Sequence, residues 1–158
     1  MGVGILAELG ARLAAEGRPA AEIAATLEAR TADLNLYVVL DTLEYLKRGG
    51  RLSPAKAAIG ELLSLKPIIT IADQTVEVVE RVRTRSKARA RCGELLKTRK
   101  VERLAILHTT NAEVEAFRDE VVAGLPGGID PGAITVDLVG ASVGPHLGPG
   151  AVGAVVLY

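Results

Sequence analysis

The chain has 158 residues, 49% of them hydrophobic, and its 19 basic and 19 acidic side chains cancel to a formal net charge of zero. That size supports one good core and makes two full domains a squeeze, while the charge balance excludes a global field that would draw nucleic acid or anionic membrane. One Phe, three Tyr and no Trp are too few stacking platforms for a single-stranded nucleic-acid binder, and the lone cysteine, Cys92, excludes an intrachain disulfide or a cysteine-rich metal site.

Ile5, Leu6, Leu9 and Leu13 recur at helical spacing up to Gly17, and Pro19 opens a second helix with Ile23 and Leu27 on one face, so residues 1–32 are expected as a helical hairpin. LNLYVVL, residues 34–40, is short, β-branched and aromatic, which predicts a buried strand. In DTLEYLKRGGRLS, Asp41 and Glu44 form a capping-box pattern, Leu43 and Leu46 share a face, and Lys47 and Arg48 suit the negative end of the helix. Gly49 and Gly50 then stop it, as a cap and a close backbone approach. Ser53 and Pro54 have the chemistry of a cap and first residue of the next helix. Arg51 is thereby held on a constrained link, where a guanidinium suits bidentate contact with carboxylate or phosphate. The alternative for Arg51 is a surface cation solvating a turn.

Pro67 to Ala72 and Thr75 to Val82 predict two strands joined at Asp73 and Gln74, returning antiparallel as an edge hairpin. Ser86 to Thr98 follows as a strongly basic helix, and most such charge runs are solvated faces. Arg83 and Thr84 differ, because they stand where a strand ends and a helix begins, beside backbone donors that suit an oxyanion. LAILH, residues 104–108, predicts a further buried strand, and Asn111 is placed to cap the helix after it. His108, at that strand's end, reads as a local hydrogen-bonding residue, with no second ligand at metal spacing. A turn-rich connector over residues 124–132 leads to the strand ITVDLV.

The closing segment sets His146 among Gly144, Pro145, Gly148, Pro149 and Gly150 before a last apolar strand. The spacing matches neither GxGxxG nor a P-loop. The segment reads either as a loop that merely turns or as a rigid, bare-backbone loop that a ligand can approach closely. Strands and helices alternate irregularly, so the fold class is α/β (α+β), a mixed β-sheet covered by helices.

Four pieces, TLEYLKRGGRLS, LLSLKPIITI, VERVRTRSKA and HLGPGAVG, together resemble, in order and spacing, the C-terminal half of the DegV family of bacterial fatty-acid-binding proteins. The resemblance runs from Ile5 to Tyr158. It implies a single domain over residues 1–158 that pairs in the family with an N-terminal parallel-sheet domain, the fatty acid lying between the two and being presented to a fatty acid kinase. The hydroxyls of that first domain, which hold much of the acyl carboxylate, have no counterpart here, and Pro145 stands where the family usually has a hydroxyl residue. The expectation is therefore a fragment, or a half that recovers its enclosure by homodimerising or by pairing with a partner chain.

On this resemblance Arg51, Arg83 and Thr84 serve the head group or the kinase docking face. His146, Gly148 and Gly150 neighbour the head group. Ile59, Leu62, Leu63 and Ile68 are assigned to the acyl-chain lining, with plain core packing as the alternative for each. The leading expectation is a non-catalytic module for a long-chain fatty acid, with no cofactor, no metal and no nucleic acid. The alternative is a protein-interaction module that has lost lipid binding. An enzyme is disfavoured, because no nucleophile–base pair, carboxylate pair or metal cluster appears at usable spacing. The first residues lack the charged start of a secretory signal, Leu6 spoils a myristoylation pattern, and no apolar run spans a bilayer, so a cytoplasmic setting is expected.

Overall fold

The computed structural model describes residues 1–52, 65–72, 74–110 and 113–158. Six strands carry the fold: β1 (Leu34–Val39), β2 (Lys66–Ala72), β3 (Thr75–Val82), β4 (Arg103–His108), β5 (Ile134–Leu138) and β6 (Val152–Leu157). They form one sheet in the order β3-β2-β1-β6-β4-β5. All neighbours are antiparallel except β4 and β5, which run parallel. This is the mixed sheet expected from irregular alternation, with the β2–β3 hairpin at its edge.

The centre of the sheet follows from composition. Val152 to Leu157 is an unbroken apolar run and is buried at every position, as a strand covered on both faces requires. Its Gly153 is needed there, since a Cβ at that position would stand 2.5 Å from the Tyr37 carbonyl oxygen of β1. Alternation along the strands then sorts side chains to two faces.

One face carries Val39, Ile68, Leu104, Ile106, Val152 and Val156. It is covered by α4 (Arg85–Leu95), packed on β1, β2 and β3, and by α5 (Val114–Ala123), packed on β4. Phe117 and Cys92, both fully buried, join those helices to the sheet. Ile68, assigned to an acyl-chain lining by the sequence, is instead 0% exposed in this core. The parity of its strand turns it under α4, where packing against Ala88 and Cys92 leaves no ligand surface.

The other face is covered only at its ends. At one end α1 (Gly2–Ala15) lays Ile5 and Leu9 on Ala105, Val155 and Leu157, and α2 (Ala20–Arg30) packs behind it. Here Gly17, at φ +80, turns the expected hairpin. At the other end α3 (Glu44–Arg48) and α6 (Gly144–Leu147) pack together and seat Leu46 and Leu147 over Val38, Leu40 and Ile69.

Between these two covers the sheet keeps a strip of half-buried apolar side chains. Leu36 and Val139 touch both clusters, Leu43, Val76 and Val78 flank one, and Ile71 beside them is 56% exposed. Beside it β1 and β2 pair at Val38↔Ile69 and Val39↔Ile68. Beyond that ladder the Thr70 hydroxyl donates to the Leu36 carbonyl at 2.7 Å.

Candidate functional site

The end of the sheet where β1 and β4 finish and β2 and β6 begin gathers the polar side chains. Asp41, one residue past Leu40, does not cap a helix as its spacing with Glu44 suggests. The N-cap of α3 is Leu43 with no side-chain bond, and the Thr42 hydroxyl accepts from the Glu44 amide at 3.2 Å. Asp41 is drawn instead to two cations: its Oδ1 accepts from Lys66 Nζ at 3.0 Å and from Arg85 Nη1 at 2.8 Å. Burial alone would raise this carboxyl, but the Lys66 hydrogen bond and the Arg85 charge outweigh it and hold it below the usual carboxylate range.

Arg85 reaches further, its Nη2 donating to the Gly150 carbonyl. The same turn is held from the far side by Thr109, a buried polar residue after β4. Its hydroxyl donates to the Gly148 carbonyl at 2.6 Å and accepts from the Ala151 amide at 3.0 Å. Gly148 and Gly150 both have φ +76, a conformation glycine adopts at least cost.

Contrary to the loop expected from sequence, residues Gly144–Leu147 form the single turn α6, ended by Gly148. Nor is the bare backbone here free for a ligand to approach. A Cβ on Gly148 would lie 2.2 Å from the Tyr45 ring, and one on Gly150 would lie 2.5 Å from Asp41 Oδ2. The chain's own side chains occupy those approaches.

His146 packs on the other partner helix. A Cβ on Gly49 would stand 2.1 Å from His146 Nδ1, and that nitrogen is buried with no hydrogen-bond partner among the described residues. Arg51 is exposed and folds back on the same peptide, with Nη1 donating to the Gly49 carbonyl at 2.9 Å. Gly50, at φ +66, makes that reversal. Arg51 and His146 therefore both stand against Gly49, Gly148 against Tyr45 of α3, and Gly150 against Asp41 and Arg85.

Thr84 is the N-cap of α4, but its hydroxyl is used internally, accepting from the Lys87 amide at 3.3 Å. Arg83 beside it is exposed and unpaired among the described residues. The basic helix is more neutralised than a solvated charge run would be: Arg89 pairs with Glu113 and Glu120, and Arg91 with Glu80 and Glu94. Ile59, Leu62, Leu63, Ser53, Pro54, Asp73 and Asn111 lie outside the described residues.

Sequence reasoning missed Asp41, Lys66, Arg85, Tyr45 and Thr109 as parts of one site. The glycine spacing of GPG was the available signal, since a tight positive-φ turn needs something to hold it. It also missed the strip, because Leu36, Val76 and Val78 read as ordinary strand alternation. Among the described residues no group of His, Cys, Asp and Glu could hold a metal ion, and no helix is long and apolar enough to cross a membrane.

The sequence profile of a family described as "Uncharacterised protein, DegV family" matches residues 1–158. A DegV domain-containing protein of Streptomyces coelicolor is 37% identical over 164 residues, covering 99% of this chain and 56% of that protein. A solved DegV family protein of Thermus thermophilus, described as fatty acid binding, superposes with a TM-score of 0.84 at 33% identity, over 99% of this chain and 56% of that one. DegV of Bacillus subtilis, described as a fatty acid binding protein, gives 0.82 at 32% identity, over 99% and 57%. The chain thus spans little more than half the length of the relatives it matches.

Proposed function

We propose, for a chain that belongs to the DegV family, that it is a fatty-acid-binding module corresponding to the C-terminal half of longer relatives. The observation that carries this reading is the half-buried apolar strip on one sheet face, Leu36, Val76, Val78 and Val139, closed at one end by the polar cluster around Gly49. The acyl chain lies along the strip and its carboxylate points to the end where Arg51 and His146 meet. The fatty acid binding described for the Thermus and Bacillus relatives supports the same assignment.

The chemistry fits the ligand's two halves. Each methylene removed from water contributes about 0.8 kcal/mol, so a strip several residues long supplies most of the affinity, to which the polar end adds. At the carboxylate's end the buried Nδ1 of His146, unpartnered among the described residues, supplies a polar neighbour, while Arg51 is exposed toward a docking partner. A strip open to solvent encloses only one side of the tail, which accords with a second domain, a partner chain or a second copy completing the enclosure.

Arg51 and Arg83, both exposed, are the side chains we assign to docking of a fatty acid kinase that phosphorylates the bound carboxylate. In this reading the module binds and presents and the chemistry belongs to the kinase, in the cytoplasm. Native mass spectrometry of the protein purified from bacterial cells tests the binding. Co-purified acyl chains of matching mass are expected. A chain that emerges ligand-free, and stays so after incubation with oleate, contradicts it.

A further inference from the structure

We propose that Asp41 is a positioning residue: acting through Arg85, it fixes the Gly148–Gly150 turn and thereby the His146 imidazole at the mouth of the strip. The purpose of this device rests on the lipid-binding reading, whereas its geometry does not.

Asp41 is well placed to act as the fixed point. It follows Leu40, whose amide donates to the Pro67 carbonyl at 2.9 Å, so its backbone is tied into the β1–β2 end of the sheet. Lys66, the residue before Pro67, holds Oδ1 at 3.0 Å and so sets the carboxylate's direction. Arg85 is the link, with its Nε also 3.4 Å from Glu113 Oε2. One of its terminal nitrogens is bound by that same Oδ1 at 2.8 Å, and the other donates to the Gly150 carbonyl. A guanidinium is planar, so orienting one nitrogen orients the other.

The glycine makes the coupling tight. Gly150 brings its Cα so close that a Cβ there would stand 2.5 Å from Asp41 Oδ2 and 3.2 Å from Arg85 Nη1. The turn is held on its other side by Thr109 and the Tyr45 ring. His146 stands two residues before Gly148, on a helix of one turn with no side-chain cap of its own. The Gly148 amide donates to the Gly144 carbonyl at 2.9 Å, which ties this short helix to the turn, while Gly49 of α3 packs on the imidazole from the other side. An ion pair that merely stabilised the fold would not need the bond to Gly150.

The test uses the full 158-residue chain without ligand, by NMR of the backbone amides and the imidazole, in Asp41→Asn and Arg85→Lys. Lysine keeps the charge at 85 but lacks the planar fork that presents one nitrogen to Asp41 and the other to Gly150. Both variants are expected to move the Gly148, Gly150 and His146 signals while those of Val155 and Val156, in the centre of the sheet, stay in place; Glu22→Gln, on the exposed α2 surface, is expected to move none of them. Oleate binding by Asp41→Asn is expected to weaken by about tenfold, the scale of one charge-assisted contact. Should Asp41→Asn fail to fold, Arg85→Lys decides the matter alone. Unmoved Gly150 and His146 signals in either folded variant overturn the proposal. If the signals move and the wild-type chain binds no oleate, the positioning stands and the lipid-binding reading falls.

Discussion

Gly49 and His146 are packed so closely that a side chain at position 49 would force the imidazole to move: a Cβ there would lie 2.1 Å from its Nδ1 and 2.7 Å from its Cε1. Gly49 itself has φ −76, a conformation any residue adopts, so the glycine is required by its neighbour and not by its backbone. Together with Leu46 against Leu147 and Tyr45 against Gly148, this contact docks α6 on α3, and Arg51 donates to the carbonyl of the same Gly49.

The Gly49→Ala variant is therefore expected to lose about 1–3 kcal/mol, the usual cost of forcing an extra methyl into a packed contact. Urea denaturation measures it. Because the clash is with one side chain, the double variant Gly49→Ala/His146→Ala is expected to regain part of that loss. Equal stability of the single and double variants would show that the contact is not the cause.

Cys92 gives a prediction about pH and reactivity. It is fully buried, and burial pushes its thiol up to about 12 from the ordinary 9.0. A group whose value is raised by folding contributes stability that is complete below its unfolded value and is lost as pH rises toward the folded one. Stability is expected to decline as pH rises above the ordinary thiol value, with a flatter decline in Cys92→Ala. The native thiol is expected to resist alkylation at mildly alkaline pH and to react once urea unfolds the chain.

Asp41 works in the opposite direction. Its carboxyl is held low in the fold, so its contribution is present above the ordinary carboxylate range and disappears as pH falls through the folded value. Acid titration of stability, followed by circular dichroism, is expected to show a shallower loss in Asp41→Asn than in wild type.

Phe117 joins α5 to the sheet and is 0% exposed. Truncating it to alanine is expected to cost about 3–5 kcal/mol, enough to remove much of a small domain's stability. Thermal unfolding measures the effect.

Arg51→Ala is expected to leave acyl-chain retention intact, since the strip supplies most of the affinity, and to weaken phosphorylation of the bound acid by a fatty acid kinase. Retention followed by mass spectrometry alongside a phosphorylation assay separates the two. Loss of the lipid itself would contradict the docking assignment.

Most of the framework was legible because periodicity survives without tertiary information. Leu34 to Leu40, Leu104 to His108 and the closing valine run announced strands, and the Gly17–Pro19 pair announced the helical hairpin. That Arg51 and His146 both stand against Gly49 could not be read from periodicity, since most of the chain's length separates them. The supports were hidden for physical reasons. Asp41 carries a capping signature that is locally satisfactory, and only the sheet reveals that Lys66 and Arg85 outcompete it. The glycines of GPG are equally good at admitting a ligand or a neighbouring side chain, and the fold sets Tyr45 and Asp41 there. Ile68 and Ile69 look alike in sequence, yet one step of strand parity buries the first under α4 and turns the second toward α3 and α6.

The central claim is that an acyl chain lies on the open sheet face. Paramagnetic broadening by a spin-labelled stearic acid reads it directly from methyl signals of the chain. The account predicts selective broadening of Leu36, Val76, Val78 and Val139, with Val121 and Val156 beneath the helices untouched. Broadening spread evenly over both faces, or confined to the helix-covered one, would contradict it.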